Sequence, residues 1–388
     1  MMALFSSSGF RLQRTSWVMV AAISVALSGC SLFSGKSKHE PTPLQPFTAS
    51  MSSGVAWRVN LGGEAGVGFA PAVAGRSAYA ASSNGTVVKV DLESGSTVWQ
   101  QSVARSLSAG VGTDGRTVAV ATGRGEVIAL DDSGQVKWRA QATSEVMVPP
   151  LVGDGLVVVR SGDYRIQAYD AETGTRVWSL QRPGPSLALR TNNQMMMDGG
   201  FVFTGLPGGK LIAIDTRTGV LRWEGTVALP RGASELERVA DVVGVPMVTG
   251  DLMCAAAFQG RITCFDINSG TAAWTKDFSS PNGLTLDPRY VFASDDQSVL
   301  HAFDLGRGNH LWKQEALKFR RNSAPASLGR AVAVGDYQGQ VHFFSREDGR
   351  LLSRVATDGR AIIAQPIAVP QGLLVQTSRA NLFLLKLE

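Results

Sequence analysis

Residues 85–99 read GTVVKVDLESGSTVW, and this phrase recurs along most of the chain. Each copy has an alternating apolar run, then an Asp, a Gly three or four residues later and a Trp at its end. Five later copies place these residues at Asp131, Gly134 and Trp138; Asp170, Gly174 and Trp178; Asp215, Gly219 and Trp223; Asp266, Gly270 and Trp274; and Asp304, Gly308 and Trp312. A repeat of this kind indicates that one structural unit is built many times.

Two further copies are incomplete. The copy at Ser345, Gly349 and Ser353 has lost both the Asp and the Trp. The chain ends in an opening run at residues 381–387 that has no second half, whereas Trp57 ends a phrase that has no opening. Joined in space, these two end pieces complete an eighth unit.

Each unit also contains an earlier alternating run, such as residues 78–81, so four short strands per unit are expected. Successive Trp residues lie 38 to 51 positions apart, near the spacing of propeller repeats. The sequence therefore predicts an all-β fold, an eight-bladed β-propeller whose ring is closed by the N-terminal strand. Such closure protects the edges that an open sheet would expose.

The repeated residues are expected to have structural roles, because one reaction site does not need six copies of the same group. The Gly suits a turn position with positive φ, and the Asp accepts hydrogen bonds from turn amides. The Trp packs its large apolar face between neighbouring blades. This assignment covers Trp57, Trp99, Trp138, Trp178, Trp223, Trp274 and Trp312.

The N-terminus has the pattern of an export signal. Arg11 and Arg14 precede an apolar run at residues 17–26, and Leu-Ser-Gly then leads to Cys30. A basic region, a short apolar region and small residues at a cleavage site are typical of signal peptides. A single transmembrane anchor is the alternative, but the run is shorter than the roughly 20 residues that a span needs.

A Cys directly after such a cleavage site resembles the bacterial lipobox. The resemblance implies cleavage before Cys30 and lipidation of its thiol and its new amino terminus. The chain then divides into a lipoprotein signal peptide (1–29), a lipidated flexible tether (30–53) and the propeller (54–388). The tether is rich in Ser and Pro, which favours a flexible linker.

Charge excludes a nucleic-acid-binding role. Residues 1–29 contain Arg11 and Arg14 but no acid, so the net charge of +5 falls to +3 once they are removed. A small net charge with acidic and basic residues interspersed indicates a solvated surface. It does not provide the basic patch that binds nucleic acid.

Cys254 and Cys264 lie ten residues apart in two strand-like runs. Export permits a disulfide between them, and two small buried thiols are the alternative. The hairpin register that decides between these is not readable from the sequence. His39, His301, His310 and His342 are scattered and predict no metal site.

The Trp-docking repeat Ala-x-Asp-x-x-Thr-Gly-x-x-x-Trp resembles that of the quinoprotein, or pyrroloquinoline-quinone, propellers over nearly all of residues 54–388. Quinoprotein dehydrogenases add an adjacent cysteine pair over the cofactor and a calcium site. The present chain has no Cys-Cys dipeptide. The resemblance therefore implies the fold, with no enzymatic activity and no cofactor, and a quinone-dependent periplasmic dehydrogenase is the alternative function.

A lipobox followed by an eight-bladed propeller of this type resembles the assembly-factor lipoproteins of the outer-membrane β-barrel assembly (BAM) machinery. The resemblance implies a non-enzymatic scaffold that binds the POTRA domains of BamA, with unfolded outer-membrane proteins as clients. Ser31, where inner-membrane retention would require Asp, implies a lipid-anchored outer-membrane protein that faces the periplasm. A scaffold of the same fold in another envelope complex is a further alternative.

Two connections between blades are long, residues 181–192 and residues 229–245. Both join a fourth strand to a first strand, so they are expected side by side on one face, where long loops on a rigid ring commonly bind partners. The first contains Leu187, Leu189 and Arg190, and the second contains Asp241. The two leucines share one side of an extended loop or, alternatively, fold back into the blade.

The family resemblance implies a role for both loops in binding BamA. Its BamA-contacting motif includes a Leu-x-Leu-Arg stretch, matched by Leu187, Leu189 and Arg190, and a second stretch that Asp241 matches. The resemblance implies that these four residues contact BamA. The second acid of the family motif is replaced by Val243, and Glu237 is a candidate to compensate for it.

Overall fold

The computed structural model of the protein describes residues 39–185, 187–191 and 193–388. All regular structure in these residues is β-strand, and the strands form eight four-stranded sheets. The prediction of an all-β, eight-bladed propeller is confirmed. The propeller lies in the unit Pro41–Glu388, and the described part of the chain has no helix long and apolar enough to cross a membrane. Cys30 and the predicted signal peptide lie outside the described residues.

The strands of the first half of the chain, in order, are β1 (Ser53–Asn60), β2 (Ala72–Ala74), β3 (Ser77–Ala81), β4 (Thr86–Asp91), β5 (Thr97–Ser102), β6 (Ala109–Thr113), β7 (Thr117–Ala121), β8 (Glu126–Asp131), β9 (Val136–Gln141), β10 (Leu151–Gly153), β11 (Leu156–Arg160), β12 (Arg165–Asp170), β13 (Arg176–Gln181), β14 (Met195–Asp198), β15 (Phe201–Leu206) and β16 (Lys210–Asp215).

The strands of the second half are β17 (Leu221–Thr226), β18 (Val242–Thr249), β19 (Leu252–Ala257), β20 (Arg261–Asp266), β21 (Ala272–Asp277), β22 (Leu284–Leu286), β23 (Tyr290–Ser294), β24 (Leu300–Asp304), β25 (His310–Gln314), β26 (Ala326–Leu328), β27 (Ala331–Gly335), β28 (Gln340–Ser345), β29 (Leu351–Ala356), β30 (Ile367–Val369), β31 (Gly372–Gln376) and β32 (Asn381–Leu387).

Blades 1 to 7 are seven consecutive antiparallel sheets, β2–β5 through β26–β29, and blade 8 has the order β30-β31-β32-β1. In blade 8, β1 pairs with β32 so that Ser53 lies opposite Leu387 and Asn60 lies opposite Asn381. The N-terminal strand therefore closes the ring, as the split eighth copy of the repeat predicts.

The antiparallel order sets two faces. The turns between second and third strands and the connections between blades share one face, here called the loop face. The first-to-second and third-to-fourth turns share the other, here called the turn face. The second and third strands of each blade, such as β7 and β8, are almost wholly buried because both of their surfaces pack against neighbouring sheets.

A tryptophan joins the two blades at seven of the eight interfaces of the ring. The indole N–H of each donates to a backbone carbonyl in the third-to-fourth turn of the following blade, with N···O distances of 2.7–3.0 Å. Trp57 of blade 8 bonds Leu92 of blade 1, so the same contact spans the closure. The pairs are Trp57–Leu92, Trp99–Asp132, Trp138–Ala171, Trp178–Thr216, Trp223–Ile267, Trp274–Leu305 and Trp312–Arg346.

The turn that receives each indole requires glycine. At Gly174, for example, φ is +72°, and an added Cβ would lie 2.6 Å from the Trp138 ring. The turn is fixed by its Asp: the Asp170 carboxylate accepts the amides of Glu172 and Thr173 at 3.0 and 2.8 Å. Hydrogen bonds from Thr173 lower the pKa of Asp170.

Blade 7 lacks its tryptophan for a structural reason. Ser353 lies opposite Phe343 in the register that Trp312 has in blade 6. A tryptophan there would need a third-to-fourth turn in blade 8, but the fourth strand of blade 8 is β1, so the two chain ends meet at that place. Instead, the hydroxyls of Ser353 and Ser53 form a hydrogen bond.

Residues 41–52, here called the strap, lie against blade 7. The Thr42 amide donates to the Lys318 carbonyl at 2.9 Å, and the Ser50 amide donates to the Leu352 carbonyl at 2.9 Å. Ser52 pairs with Glu388 through two backbone hydrogen bonds of 3.0 and 2.8 Å. These contacts attach the strap to the ring, so residues 41–52 are not part of a flexible tether. The tether predicted for residues 30–53 remains a prediction only for the residues before Pro41.

A buried ionic network lies under the strap. Asp336 and His342 are fully buried, and the Asp336 carboxylate accepts hydrogen bonds from Arg320 Nε at 2.8 Å and His342 Nε2 at 3.0 Å. Arg354 Nε donates to His342 Nδ1 at 3.1 Å, and Arg320 also donates to the Thr42 carbonyl at 3.1 Å. This arrangement requires a neutral His342, because Nδ1 must accept.

The charges of the network agree with this protonation state. Burial, assisted by the nearby Arg354 and Arg320 charges, lowers the pKa of His342 despite the attraction of Asp336. Burial alone would raise the pKa of Asp336, but the hydrogen bonds from His342 and from the Gln340 amide outweigh it and lower that pKa.

Cys254 and Cys264 face each other on β19 and β20 and form a disulfide. Both are fully buried between blades. The sequence left the choice between a bridge and two free thiols open, and the cross-strand register decides it in favour of the bridge.

Replacing Gly174 by Ala is expected to destabilise the propeller far more than replacing Gly199 by Ala. Both glycines have positive φ, but an added Cβ at Gly199 meets nothing within 4 Å. Gly199→Ala should cost about 1–2 kcal/mol from backbone strain, whereas Gly174→Ala should cost about 3 kcal/mol or more because it also displaces Trp138. Urea denaturation measures both; equal losses would contradict the indole-packing explanation.

The free energy of unfolding is expected to fall as the pH drops below about 6.5, the ordinary pKa of histidine. The folded-state pKa of His342 is lowered, so the unfolded chain takes up this proton first and acid favours unfolding. His342→Gln keeps a donor for Asp336 and an acceptor for Arg354 without titrating. Between pH 6.5 and 5 the free energy of unfolding of this variant should fall less steeply than that of the wild type. The difference between the two slopes should be about 1 kcal/mol per pH unit. Identical slopes in denaturant titrations would contradict the assignment.

Candidate functional site

The two long connections predicted from the sequence lie on the loop face. The first, residues 182–194, joins β13 of blade 3 to β14 of blade 4. The second, residues 227–241, joins β17 of blade 4 to β18 of blade 5. The last four residues of the predicted second loop belong to β18, because Val242 and Val243 pair with Ala257 and Ala256.

The first loop presents an apolar and a cationic side chain to solvent. Leu187 is 43% exposed, Leu189 is half-buried and Arg190 is exposed. Among the residues that the structure describes, Arg190 has no hydrogen-bond or ion-pair partner. Leu187 and Arg190 are thus available at the surface, whereas Leu189 forms part of the support beneath them.

Tyr164, in the second-to-third turn of blade 3, holds the start of the first loop. Its hydroxyl donates to the Pro185 carbonyl at 3.2 Å, and Gly184 packs so closely on its ring that an added Cβ would lie 2.1 Å away. Burial, followed by the negative charge of Asp241, raises the pKa of the Tyr164 hydroxyl. The loop is therefore anchored from blade 3.

Asp241 lies beneath the first loop, with only 1% of its surface exposed. Its Oδ2 accepts the Leu189 amide at 2.6 Å, and its Oδ1 accepts the Gly208 amide at 3.1 Å. The backbone carbonyl of Asp241 accepts the Phe258 amide at 2.9 Å. The structure thus brings the two long loops together, as expected, and it places the Asp241 carboxylate inside the junction.

Arg160 contributes a second charge to this junction. Its guanidinium donates to the carbonyl of Gly205 at 2.5 Å and to that of Asn193 at 3.4 Å. Burial lowers its pKa to about 10, and the negative charge of Asp241 opposes that shift. An inward arginine and an inward aspartate therefore offset each other below the exposed Leu187 and Arg190.

The second loop has its own internal hydrogen bonds. The Glu237 carboxylate accepts the amides of Ala233 and Ser234 at 2.8 and 3.1 Å, and these bonds lower its pKa. Glu237 thus stabilises its own turn and does not lie at the position of Val243, which is 1% exposed on β18. Two leucines of this loop, Leu229 and Leu236, are 55% and 69% exposed.

A groove of about 300 Å³ runs beside the first loop. Leu187, Leu189 and Arg190 form one wall, and Val67 and Met147 lie on the connections of other blades. Val67 and Met147 are 37% and 40% exposed. The sequence analysis did not identify them because nothing in their local sequence distinguishes them; only the ring brings their blades to one groove.

The central cavity does not suit a quinone cofactor. Its volume is about 350 Å³, and it is lined by uncharged residues such as Met247, Thr285 and Gln365. The quinone of the quinoproteins carries several carboxylates, which require arginine or lysine partners. The residues lining this cavity supply none.

No group of three or more potential metal ligands occurs in the described residues. His301 and His310 are neighbours nonetheless, with 3.1 Å between Nδ1 and Nε2, and Asp295 lies 3.3 Å from His301 Nε2. His301 and His342 each contact the Asp six residues earlier. A contact repeated in blades 6 and 7 favours a structural role for both.

Comparison with known proteins gives consistent matches over most of the chain. The family model described as "Outer membrane protein assembly factor BamB" matches residues 51–106, 83–314 and 295–384. A protein of that name from Bordetella pertussis is 55% identical over 364 residues, covering 93% of this chain and 94% of its own. The one from Burkholderia pseudomallei is 39% identical, covering 94% of this chain and 96% of its own.

Solved structures agree. The crystal structure of BamB from Moraxella catarrhalis superposes with a TM-score of 0.78 at 26% identity, covering 87% of this chain and 99% of that one. The quinohemoprotein alcohol dehydrogenase from Comamonas testosteroni has a TM-score of 0.67 at 16% identity, covering 86% of this chain and 76% of that one. The latter likeness concerns the fold alone.

Proposed function

The chain belongs to the BamB family of outer membrane protein assembly factors, and from that premise we propose that it is a scaffold of the BAM complex that binds the POTRA domains of BamA through its loop face. It is an accessory factor and not an enzyme. The observation that carries the proposal is the exposure of Leu187 and Arg190 on a loop that is held from below by buried hydrogen bonds.

The chemistry of the loop suits a protein partner. An exposed leucine beside a shallow groove offers an apolar anchor, and an arginine without a partner in the described chain offers charge-assisted hydrogen bonds to a carboxylate. Val67 and Met147 extend the apolar surface across the groove. We therefore include both in the BamA-contacting surface, with Leu189 as its inner support.

The proposal includes a lipid anchor at Cys30, which holds the propeller at the outer membrane on the periplasmic side. Ten residues lie between Cys30 and Pro41, where the strap begins. Fully extended, they reach about 40 Å. This length limits how far Pro41 can lie from the membrane.

Unfolded outer-membrane proteins are proposed as clients. The fourth strand is the last in each sheet, so its outer edge has backbone groups available for strand addition. Val98 and Val177 on two such strands are about half exposed and offer apolar contacts to an extended chain.

The double substitution Leu187→Ala/Arg190→Ala is expected to weaken binding to the periplasmic domains of BamA by about tenfold or more, because it removes an apolar anchor and a charged donor. Biolayer interferometry with the full chain measures the affinity, and retention of BamA in a pull-down from solubilised membranes tests it in the complex. Neither substitution removes a buried group, so the melting temperature should stay within a few degrees.

The matched control is Leu311→Ala/Arg307→Ala. These residues are also exposed, but they lie in blade 6 away from the groove. This variant should bind BamA as the wild type does. Wild-type affinity in the Leu187/Arg190 variant would refute the proposed site.

Replacing Cys30 by Ala is expected to abolish acylation and release the protein from the membrane fraction, because no other cysteine follows a lipobox. Labelling cells with an alkynyl palmitate followed by fractionation measures both effects. The Cys254→Ala/Cys264→Ala variant, which lacks only the disulfide, should remain labelled. Persistent labelling of the Cys30→Ala chain would contradict the assigned anchor.

A further inference from the structure

We infer that Asp241 is a positioning residue: its carboxylate does not meet the partner, but fixes the backbone of the first loop so that Leu187 and Arg190 are presented together. The inference rests on the proposed function, because it concerns the same BamA-binding surface. It assigns Asp241 a different role from the direct contact that family resemblance implies.

The first argument is accessibility. Asp241 is 1% exposed, and both of its carboxylate oxygens already accept backbone amides, from Leu189 at 2.6 Å and from Gly208 at 3.1 Å. A partner would have to displace the first loop to reach it. Displacing the loop would break the hydrogen bond from the Leu189 amide and leave a buried carboxylate oxygen without a donor, which is unfavourable.

The second argument is connectivity. Asp241 joins three blades: the first loop leaves blade 3, Gly208 lies in the second-to-third turn of blade 4, and the Asp241 carbonyl accepts the Phe258 amide of blade 5. Leu189 is separated from Asp241 by 52 residues in sequence. One buried carboxylate thus determines where the middle of an otherwise exposed loop lies.

The third argument is charge. Arg160 points into the same junction and donates to the neutral oxygens of Thr204, Gly205 and Asn193. Asp241 supplies the negative charge that offsets it. Removing that charge would leave an uncompensated inward arginine, so the loop would loosen on both of its sides.

The test measures loop order and partner binding separately in the full chain. In Asp241→Asn, one amide N–H would face a backbone N–H, so the hydrogen bond to Leu189 or to Gly208 is lost. Hydrogen–deuterium exchange of the peptide that spans residues 187–191, without BamA, should become about tenfold faster. The Kd for the periplasmic domains of BamA should rise about tenfold as well.

Asp287→Asn is the matched control. Asp287 is 9% exposed and accepts the amides of Arg289 and Tyr290 at 2.8 and 2.9 Å, but it lies on the turn face of blade 6. It should change neither the exchange of residues 187–191 nor the affinity for BamA.

A second pair of variants leaves the buried aspartate intact, so that the test survives if Asp241→Asn fails to fold. Leu189→Pro removes the N–H that Asp241 accepts, whereas Leu189→Ala keeps it. Both shorten the side chain, and Leu189→Pro differs from Leu189→Ala in the lost hydrogen bond and in the φ angle that the proline ring fixes. We expect Leu189→Pro to bind BamA about tenfold more weakly than Leu189→Ala does.

The outcomes separate this inference from the proposed function. Weakened BamA binding by Asp241→Asn with unchanged exchange at residues 187–191 would overturn the positioning role in favour of direct contact. Faster exchange with unchanged affinity would overturn the claim that loop order serves binding, as would equal affinities for Leu189→Pro and Leu189→Ala. Wild-type affinity in Leu187→Ala/Arg190→Ala would instead refute the binding site itself.

Discussion

The packing of an indole on a glycine turn of the next blade is the interaction on which the propeller depends. It occurs seven times and combines apolar burial with a hydrogen bond from the indole N–H. A turn glycine leaves room for the ring, and in six of the seven turns an aspartate accepts the turn amides that hold the glycine in place. Because Trp57 belongs to the N-terminal strand, the interface between blades 8 and 1 has the same indole contact as six other interfaces of the ring.

This repetition explains why the fold was predictable from sequence. A contact made seven times leaves a periodic pattern, and the pieces at residues 55–59 and 381–387 could be joined because each lacks what the other has. The loss of tryptophan at Ser353 also follows from the geometry, since the chain ends meet where its turn would be. The Cys254–Cys264 bond was not predictable because it depends on a strand register that composition does not determine.

The proposed binding surface was predictable only in part. Leu187 and Arg190 could be singled out because a long loop carries them and because they match a family motif. The burial of Asp241 depends on Arg160 and Leu189, which are distant in sequence and meet only once three blades are in place. Val67 and Met147 have no signal of their own; their position in the groove follows from the curvature of the ring.

The residues at this surface form two layers, an exposed outer layer and a hydrogen-bonded inner layer that supports it. The outer layer, Leu187 and Arg190, has no described polar partner that would compete with a ligand. The inner layer, Asp241, Arg160 and Tyr164, is hydrogen-bonded to backbone groups of adjacent blades. An ordered loop loses less conformational entropy on binding than a mobile one, so under the proposed binding mode the inner layer would raise the affinity without touching the partner.

The strap also determines how the molecule responds to mechanical force. β1 is antiparallel to β32 and begins at Ser53, so tension applied at Ser53 would unzip the closing sheet one residue pair at a time. The contacts of Thr42 and Ser50 precede that point along the chain. A pull transmitted through Pro41 would therefore load the strap and its contacts with blade 7 before it reached the closing strand.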